Sequence, residues 1–148
     1  MNLQEMIELL RNDLRNEWTH LTFYLYSAGL VQGLHAHEYK ELLLEEAKKE
    51  MEHISEFSDL IVGLNGLPTN QPYTEKIPTL FNPIEIMKHA ILLEQEVVEN
   101  YCKRMKQAEE MGSTDGDWIH IFLEKQIEDS RKDVDHIKQI MRGNLAGF

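Results

Sequence analysis

Apolar residues recur at helical spacing along nearly the whole chain and fall into four segments. In the first, from about 3 to about 32, Leu3, Ile7, Leu10, Leu14, Leu21 and Leu25 share a face, and Gly33 supplies the stop. The second runs from about 37 to about 62 through Leu42, Leu43, Phe57, Leu60 and Ile61, and Gly63 and Gly66 close it. The third opens at Asn82-Pro83, an N-cap followed by proline at the first helical position. Its face is Ile84, Met87, Ile91, Val98, Tyr101 and Met105, and Gly112 ends it. The fourth begins near Asp115 or Asp117 and reaches about Met141 through Ile119, Leu123, Ile127, Val134 and Ile137. The first and third connections are short, which joins antiparallel neighbours. The middle one, GLNGLPTNQPYTEKIPTLFN, is about twenty residues with three prolines, and at ~3.3 Å per residue it can cross the length of a bundle. The expected fold is all-α: one domain over 1–148, an antiparallel four-helix bundle with a long crossover between helices two and three.

Polar residues break these stripes at mid-helix. Continued past Leu14, the first stripe passes through 17, 21 and 24, which puts Glu17 and Tyr24 inside. The second passes through 43, 46, 50, 53, 57 and 60 and meets Glu46, Glu50 and His53. The third passes through 87, 91, 94, 98 and 101 and meets Glu94. A core-facing carboxylate is costly unless something compensates it. Taken singly, each reads as a satisfied residue at a stripe edge. Three on three helices, with a histidine three residues after one of them, read as a single site. Glu50 and His53 share a helix face and can converge on one ion, and two ions at the centre of a bundle would compensate all the carboxylates together. Carboxylates with one or two imidazoles and no thiolate suit iron, manganese or zinc. Glu50, flanked by both other carboxylates and by His53, is the expected bridge.

Charge and composition narrow the partners. A net charge of −11 argues against phosphate binding and so against nucleic acid. It suits attraction of cations, although solubility alone also accounts for an acidic surface. No apolar run approaches the ~18 residues of a membrane helix, so no membrane partner is expected. The opening MNLQEMIELLRNDLRNEW lacks the layout of a signal peptide. Cys102 is the one cysteine, which rules out an internal disulfide and fits a reducing, cytoplasmic setting. It is expected to be a small buried hydrophobe. His35, His37 and His89 are expected at surfaces, and His20 and His120 lie one position off their stripes.

Asn16-Glu17 with Tyr24 seven residues after Glu17, Glu50-Met51-Glu52-His53, and Leu93-Glu94 after an apolar lead-in resemble the ferroxidase ligands and site-adjacent tyrosine of the ferritin and bacterioferritin superfamily. The resemblance spans nearly the whole chain, with the same helix order and crossover. It implies oxidation of Fe(II) by dioxygen or peroxide at an intrachain di-iron centre, with ferric mineral stored in a hollow homo-oligomeric shell. Tyr24 would hydrogen-bond to the site or supply an electron. On the fourth helix, bacterioferritins carry a second E-x-x-H, whereas ferritins carry glutamine followed three residues later by a carboxylate. Gln126-x-x-Asp129 matches the ferritin version and is preferred. Asp133-x-x-His136 imitates the other version two turns further along, and Asp133 could replace either preferred residue. Met51 stands where bacterioferritins place a haem-ligating methionine between two subunits, although methionine is more often packing than ligand.

After the fourth helix only MRGNLAGF remains, without the short fifth helix of the larger shells. That resembles the twelve-chain Dps-type shells, so twelve chains are expected rather than twenty-four. The tail carries Arg142 but no lysine-rich stretch, so DNA binding is not expected. The competing expectations are a non-cage di-iron or di-manganese oxidase or peroxidase on the same bundle, and a metal-free interaction module whose inward glutamates are satisfied by Arg or Lys.

Overall fold

The computed structural model describes residues 1–142. They form four α-helices of 28 residues each: α1 Leu3–Leu30, α2 Ala36–Gly63, α3 Pro83–Glu110 and α4 Thr114–Met141. At 1.5 Å per residue each is about 42 Å long. α1 packs chiefly on α2 and α3 on α4, with further contacts between α1 and α3. The architecture is therefore two helical hairpins joined by a crossover, the all-α four-helix bundle expected from the sequence. No helix among the described residues is long and apolar enough to cross a membrane. The reading of the C-terminal tail concerns residues 143–148, which lie outside the described residues.

Local chemistry sets the helix ends. Asn2 and Glu5 form a reciprocal capping box at the start of α1. The Asn82 side chain accepts from the backbone N–H groups of Ile84 and Glu85, and Pro83 occupies the first turn of α3. α4 starts slightly earlier than expected, because Ser113 accepts from the Gly116 N–H at 3.1 Å and acts as the cap. Asp115 and Asp117 instead fill the first turn, where carboxylates complement the helix dipole. Gly116 lies so close to α3 that a Cβ there would stand 2.5 Å from the Ala108 carbonyl oxygen.

Two expectations about side chains fail. Leu25 is half exposed, because the inward face of α1 passes through Leu21, Tyr24 and Ala28 and rotates position 25 outwards. Cys102, next to the buried Tyr101, is exposed for the same reason.

The crossover runs alongside α1 for most of the bundle length. Arg11 Nε donates to the Leu67 carbonyl, Trp18 Nε1 to Thr69, and Arg15 Nε to Gln71. Further along, the Tyr73 N–H donates to Thr19 Oγ1, and the Tyr26 and Thr79 hydroxyls meet at 2.8 Å. Apart from a single 3-10 turn at Thr74–Lys76 the segment has no regular structure, and it is tied down by side chains from α1. It covers the outer face of α1, while the inner face is left for the core.

That core is apolar towards both ends and polar in the middle. Leu10, Leu14, Leu43, Phe57, Ile61, Met87 and Ile119 are almost completely buried. Between them lie the buried Glu17, His20, Glu46, Glu50, His53, Glu94 and Gln126.

Candidate metal centre

Each helix contributes an inward polar segment at helical spacing. α1 supplies Asp13, Glu17, His20 and Tyr24; α2 supplies Glu46, Glu50 and His53; α3 supplies Glu94, Tyr101 and Arg104; α4 supplies Gln126, Ser130 and Asp133. Two groups of potential ligand atoms converge within 4.8 Å: Glu17, Glu50 and His53 in one, and His20, Glu50 and Glu94 in the other. Glu50 belongs to both. Each group then has its own terminal carboxylate and its own imidazole.

The imidazoles face carboxylates rather than apolar neighbours. His53 Nδ1 stands 3.6 Å from Glu17 Oε2 and 3.6 Å from Glu50 Oε2. His20 Nδ1 stands 3.7 Å from Glu94 Oε1. On the far side of its ring, His53 Nε2 lies 3.5 Å from Asp129 Oδ2. The two terminal carboxylates are held alike: Tyr24 Oη donates to Glu94 Oε1 at 2.9 Å, and Tyr101 Oη donates to Glu17 Oε1.

Proton affinities follow from burial and crowding. Burial, then the charges of Glu17 and Glu94, push the Glu50 carboxyl well above the usual range. Glu17 is held at about 2: burial opposes ionisation, but the close approach of Glu50 and His53 and the imidazole charges outweigh it. The His53 imidazolium persists to about 9, because Glu17, Glu94 and Asp129 outweigh the burial that disfavours it. Without added cations the cluster therefore holds a proton on Glu50 and another on His53. Burial, then the nearby carboxylates, keeps Tyr24 and Tyr101 protonated far above their ordinary value, so both act as donors.

The pattern of unpaired atoms tests whether metal ions fit. Glu17 Oε2, His20 Nδ1, both Glu50 oxygens, His53 Nδ1 and Glu94 Oε2 are buried without a hydrogen-bond donor or acceptor. Buried polar atoms are normally paired, and here six such orphans belong to the five residues that converge. Two divalent cations would satisfy all of them and displace the two protons. The donor set, carboxylate and imidazole without thiolate, suits iron, manganese or zinc.

The sequence-derived residues separate into groups. Glu17, Glu50, His53 and Glu94 are brought together, with Tyr24 beside Glu94. Gln126 is buried on α4, but its amide donates to Glu56 Oε2 at 2.7 Å and leaves its own Oε1 unpartnered. Asp129 is partly exposed and faces the outer nitrogen of His53. Asp133 is engaged by Lys49, and His136 is exposed, so that pair does not enter the cluster. Met51 is 58 % exposed on the outer side of α2.

Two members were not singled out from the sequence. His20 is buried inside the cluster, and Glu17-x-x-His20 repeats the spacing of Glu50-x-x-His53. Tyr101 follows Glu94 by seven residues, as Tyr24 follows Glu17.

Just below Glu17 and Tyr101, Arg104 makes a two-pronged ion pair with Asp13, at 2.8 and 3.1 Å. Burial, offset in part by Arg104, lifts Asp13 to about 6. This buried pair ties α1 to α3 beside the cluster.

Fold and donor set together define a four-helix bundle built around a buried carboxylate–histidine cluster. Residues 7–143 match the ferritin-like domain, and the chain belongs to that family. No curated protein matches the sequence. Among solved structures, a ferritin-like di-iron-carboxylate protein from Bacillus anthracis str. Ames is similar at a TM-score of 0.83 and 24% identity, over 96% of this chain and 100% of that one. A Dps protein from Vibrio cholerae O1 gives 0.84 and 16%, over 95% and 91%. Rhodobacter capsulatus bacterioferritin, a structure with a metal-free dinuclear site and haem iron, gives 0.77 and 22%, over 92% and 82%. At these identities the likenesses establish the fold.

Proposed function

We propose that this protein is a ferroxidase that takes up two Fe(II) ions as substrate at the Glu50-centred cluster, oxidises them, and stores the ferric product within a homo-oligomeric shell. The observation that carries this reading is the pair of three-residue donor groups sharing Glu50, all with orphaned ligand atoms. Glu17 and His53 would hold one ion and Glu94 and His20 the other, with Glu50 shared between them. Asp129 would act through His53, accepting its Nε2 proton so that Nδ1 is left free as a ligand, as the outer partners of metal-bound histidines do. Tyr101 and Tyr24 fix the terminal carboxylates by donating to Glu17 Oε1 and Glu94 Oε1, which leaves Glu17 Oε2 and Glu94 Oε2 without a partner. Gln126 Oε1 is a neutral donor available on the α4 side.

Two ferrous ions yield two electrons. Dioxygen with two protons accepts them to give hydrogen peroxide, and hydrogen peroxide with two protons accepts them to give two waters. The proton that Glu50 holds before loading is released when cations replace it.

Leu44, Met51 and Val62 are exposed at positions seven and eleven apart, which form one outer line along α2. This line supports burial of α2 against a second copy of the chain. Haem held by Met51 there remains subordinate to simple packing in this reading. Twelve chains of 17.4 kDa make about 209 kDa, the closed assembly preferred here over about 418 kDa for twenty-four.

The test is anaerobic Fe(II) loading followed by oxidant, with native mass measured alongside. Rapid oxidation of two Fe(II) per chain is expected, and Glu50→Ala should abolish it while leaving the bundle folded. Rapid turnover in that variant would overturn the site. A native mass of one or two chains would remove storage and leave a soluble two-metal oxidase.

A further inference from the structure

A second polar feature lies on the outer face of α1, where the crossover packs. Arg11, Asn12 and Arg15 on α1 and Thr69 and Gln71 on the crossover line a cavity of about 260 Å³. Each arginine braces the crossover through its inner nitrogen. Arg11 Nε donates to the Leu67 carbonyl at 2.7 Å, and Arg15 Nε to the Gln71 carbonyl at 3.0 Å. Arg11 Nη1 pairs with Glu8 at 3.2 Å. Arg15 Nη2 reaches the Pro72 carbonyl at 3.5 Å, and its guanidinium lies 3.9 Å over the Tyr73 ring. Arg11 Nη2 and Arg15 Nη1 make no hydrogen bond to the described residues. The Thr69 hydroxyl accepts from the Gln71 N–H at 3.4 Å, which leaves its own proton to donate. Asn12 adds an exposed amide. The cavity is walled mainly by donors, and no carboxylate lines it.

Local charge decides what such a cavity attracts. The net charge of −11 sets the far field, but at physiological ionic strength exposed charges are screened beyond ~8 Å. Nearby, Asp13 and Glu17 point into the core and are each 1 % exposed. Over positions 64–82 the crossover has Glu75 and Lys76 as its charged residues, and Lys76 Nζ stands 4.2 Å from the centroid of the ring that Arg15 covers. Glu8 offsets part of Arg11, and Arg15 has no carboxylate partner among the described residues. Bracing the crossover needs one nitrogen of each guanidinium, whereas paired guanidinium forks match the oxygens of a tetrahedral anion. The volume falls below the ~300–1,000 Å³ of sites for drug-sized ligands, so the occupant is compact.

We infer that inorganic phosphate binds between Arg11 and Arg15, capped by Asn12 and Thr69, and clasps the crossover to α1. Ligand donors then come from both walls, so occupancy stabilises the junction between the two hairpins. The site stands apart from the Glu50 cluster and does not depend on reading that cluster as a two-ion site.

The experiment is calorimetry of the assembled, chelator-treated protein with inorganic phosphate at fixed ionic strength. Saturable binding of one phosphate per chain is expected. Two variants keep both arginine braces and move the affinity in opposite directions. Asn12→Asp places a carboxylate at the rim and should weaken phosphate roughly tenfold, from one added charge at ~5 Å in water-like screening. Glu8→Gln removes the carboxylate that competes for Arg11 and should tighten binding. Absence of saturable binding in wild type, or failure of either shift, overturns the site. Should Asn12→Asp not assemble, wild-type crystals soaked in tungstate, a heavy tetrahedral oxyanion, decide the matter. Anomalous density between Arg11 and Arg15 supports the site, and tungstate bound only elsewhere, or nowhere, overturns it.

Discussion

Glu50→Gln isolates the cost of building this cluster before any ion arrives. Glu50 is 0 % exposed, and burial followed by the Glu17 and Glu94 charges keeps it protonated well above the usual carboxyl range. A raised carboxyl means that folding takes up a proton that the unfolded chain releases. Metal-free stability therefore falls as pH rises above the ordinary carboxyl value, for as long as folded Glu50 stays protonated, by about 1.4 kcal/mol per pH unit. At ~2–4 °C per kcal/mol for a chain of this size, that is about 3–6 °C of Tm per pH unit. Glutamine keeps the shape and the donor of a neutral glutamic acid but takes up no proton. Glu46, lifted to about 7 by burial and then Asp133 against Lys49, and Asp13, lifted to about 6, act with the same sign. Both remain in the variant, so they cancel in the comparison. Calorimetric melts in chelator from pH 5 upward should give a shallower fall for Glu50→Gln than for wild type. With Co(II) at a hundred times its Kd, wild type should gain about 2.7 kcal/mol per ion, and the variant much less. Parallel lines in chelator would refute the buried proton, and an undiminished Co(II) gain would refute the shared carboxylate.

Three further outcomes follow from individual contacts. His20→Ala should weaken one of the two ions by at least the ~10–100-fold typical of lost supporting contacts, leaving the other nearly unchanged in anaerobic titration; equal weakening of both would place His20 elsewhere. Tyr101→Phe removes the donor to Glu17, a bond to a charged group of about 1.5–3 kcal/mol, so Co(II) affinity measured against pH should lose its low-pH tolerance first. No change in the acid limit would deny Tyr101 that role. Arg104→Met leaves Asp13 buried and unpaired and should cost about 3–5 kcal/mol in urea denaturation, most of it recovered by adding Asp13→Leu. Failure of the second change to recover stability would mean that the pair acts by packing.

The bundle was legible because each helix carries its own period, its own cap and its own stop. Asn82-Pro83 and Gly112 mark ends by local chemistry that needs no partner. The interruptions at Glu17, Glu50 and Glu94 were visible for the same reason, since an inward carboxylate contradicts the stripe that it lies on. His20 was harder to see. A single line through 17, 21 and 24 is narrower than the face that α1 turns towards both α2 and α3, and position 20 lies on its margin. The repeated E-x-x-H spacing was the available signal. The fourth helix was least legible because its polar residues are decided by partners across the bundle. Gln126 answers to Glu56 and Asp133 to Lys49, both on α2, about seventy or more positions away in sequence. Likewise, Arg104 lies buried against Asp13 and Lys49 reaches in from a half-buried position, pairings that no single stripe shows.

Anomalous diffraction at the iron edge, from crystals prepared anaerobically with Fe(II), tests the Glu50-centred two-ion site most directly. Two peaks are expected in each chain on either side of the Glu50 carboxylate, one against Glu17 and His53 Nδ1 and the other against Glu94 and His20 Nδ1. A single peak, no peak, or density at Gln126 and Asp129 with Glu50 left unliganded would contradict it.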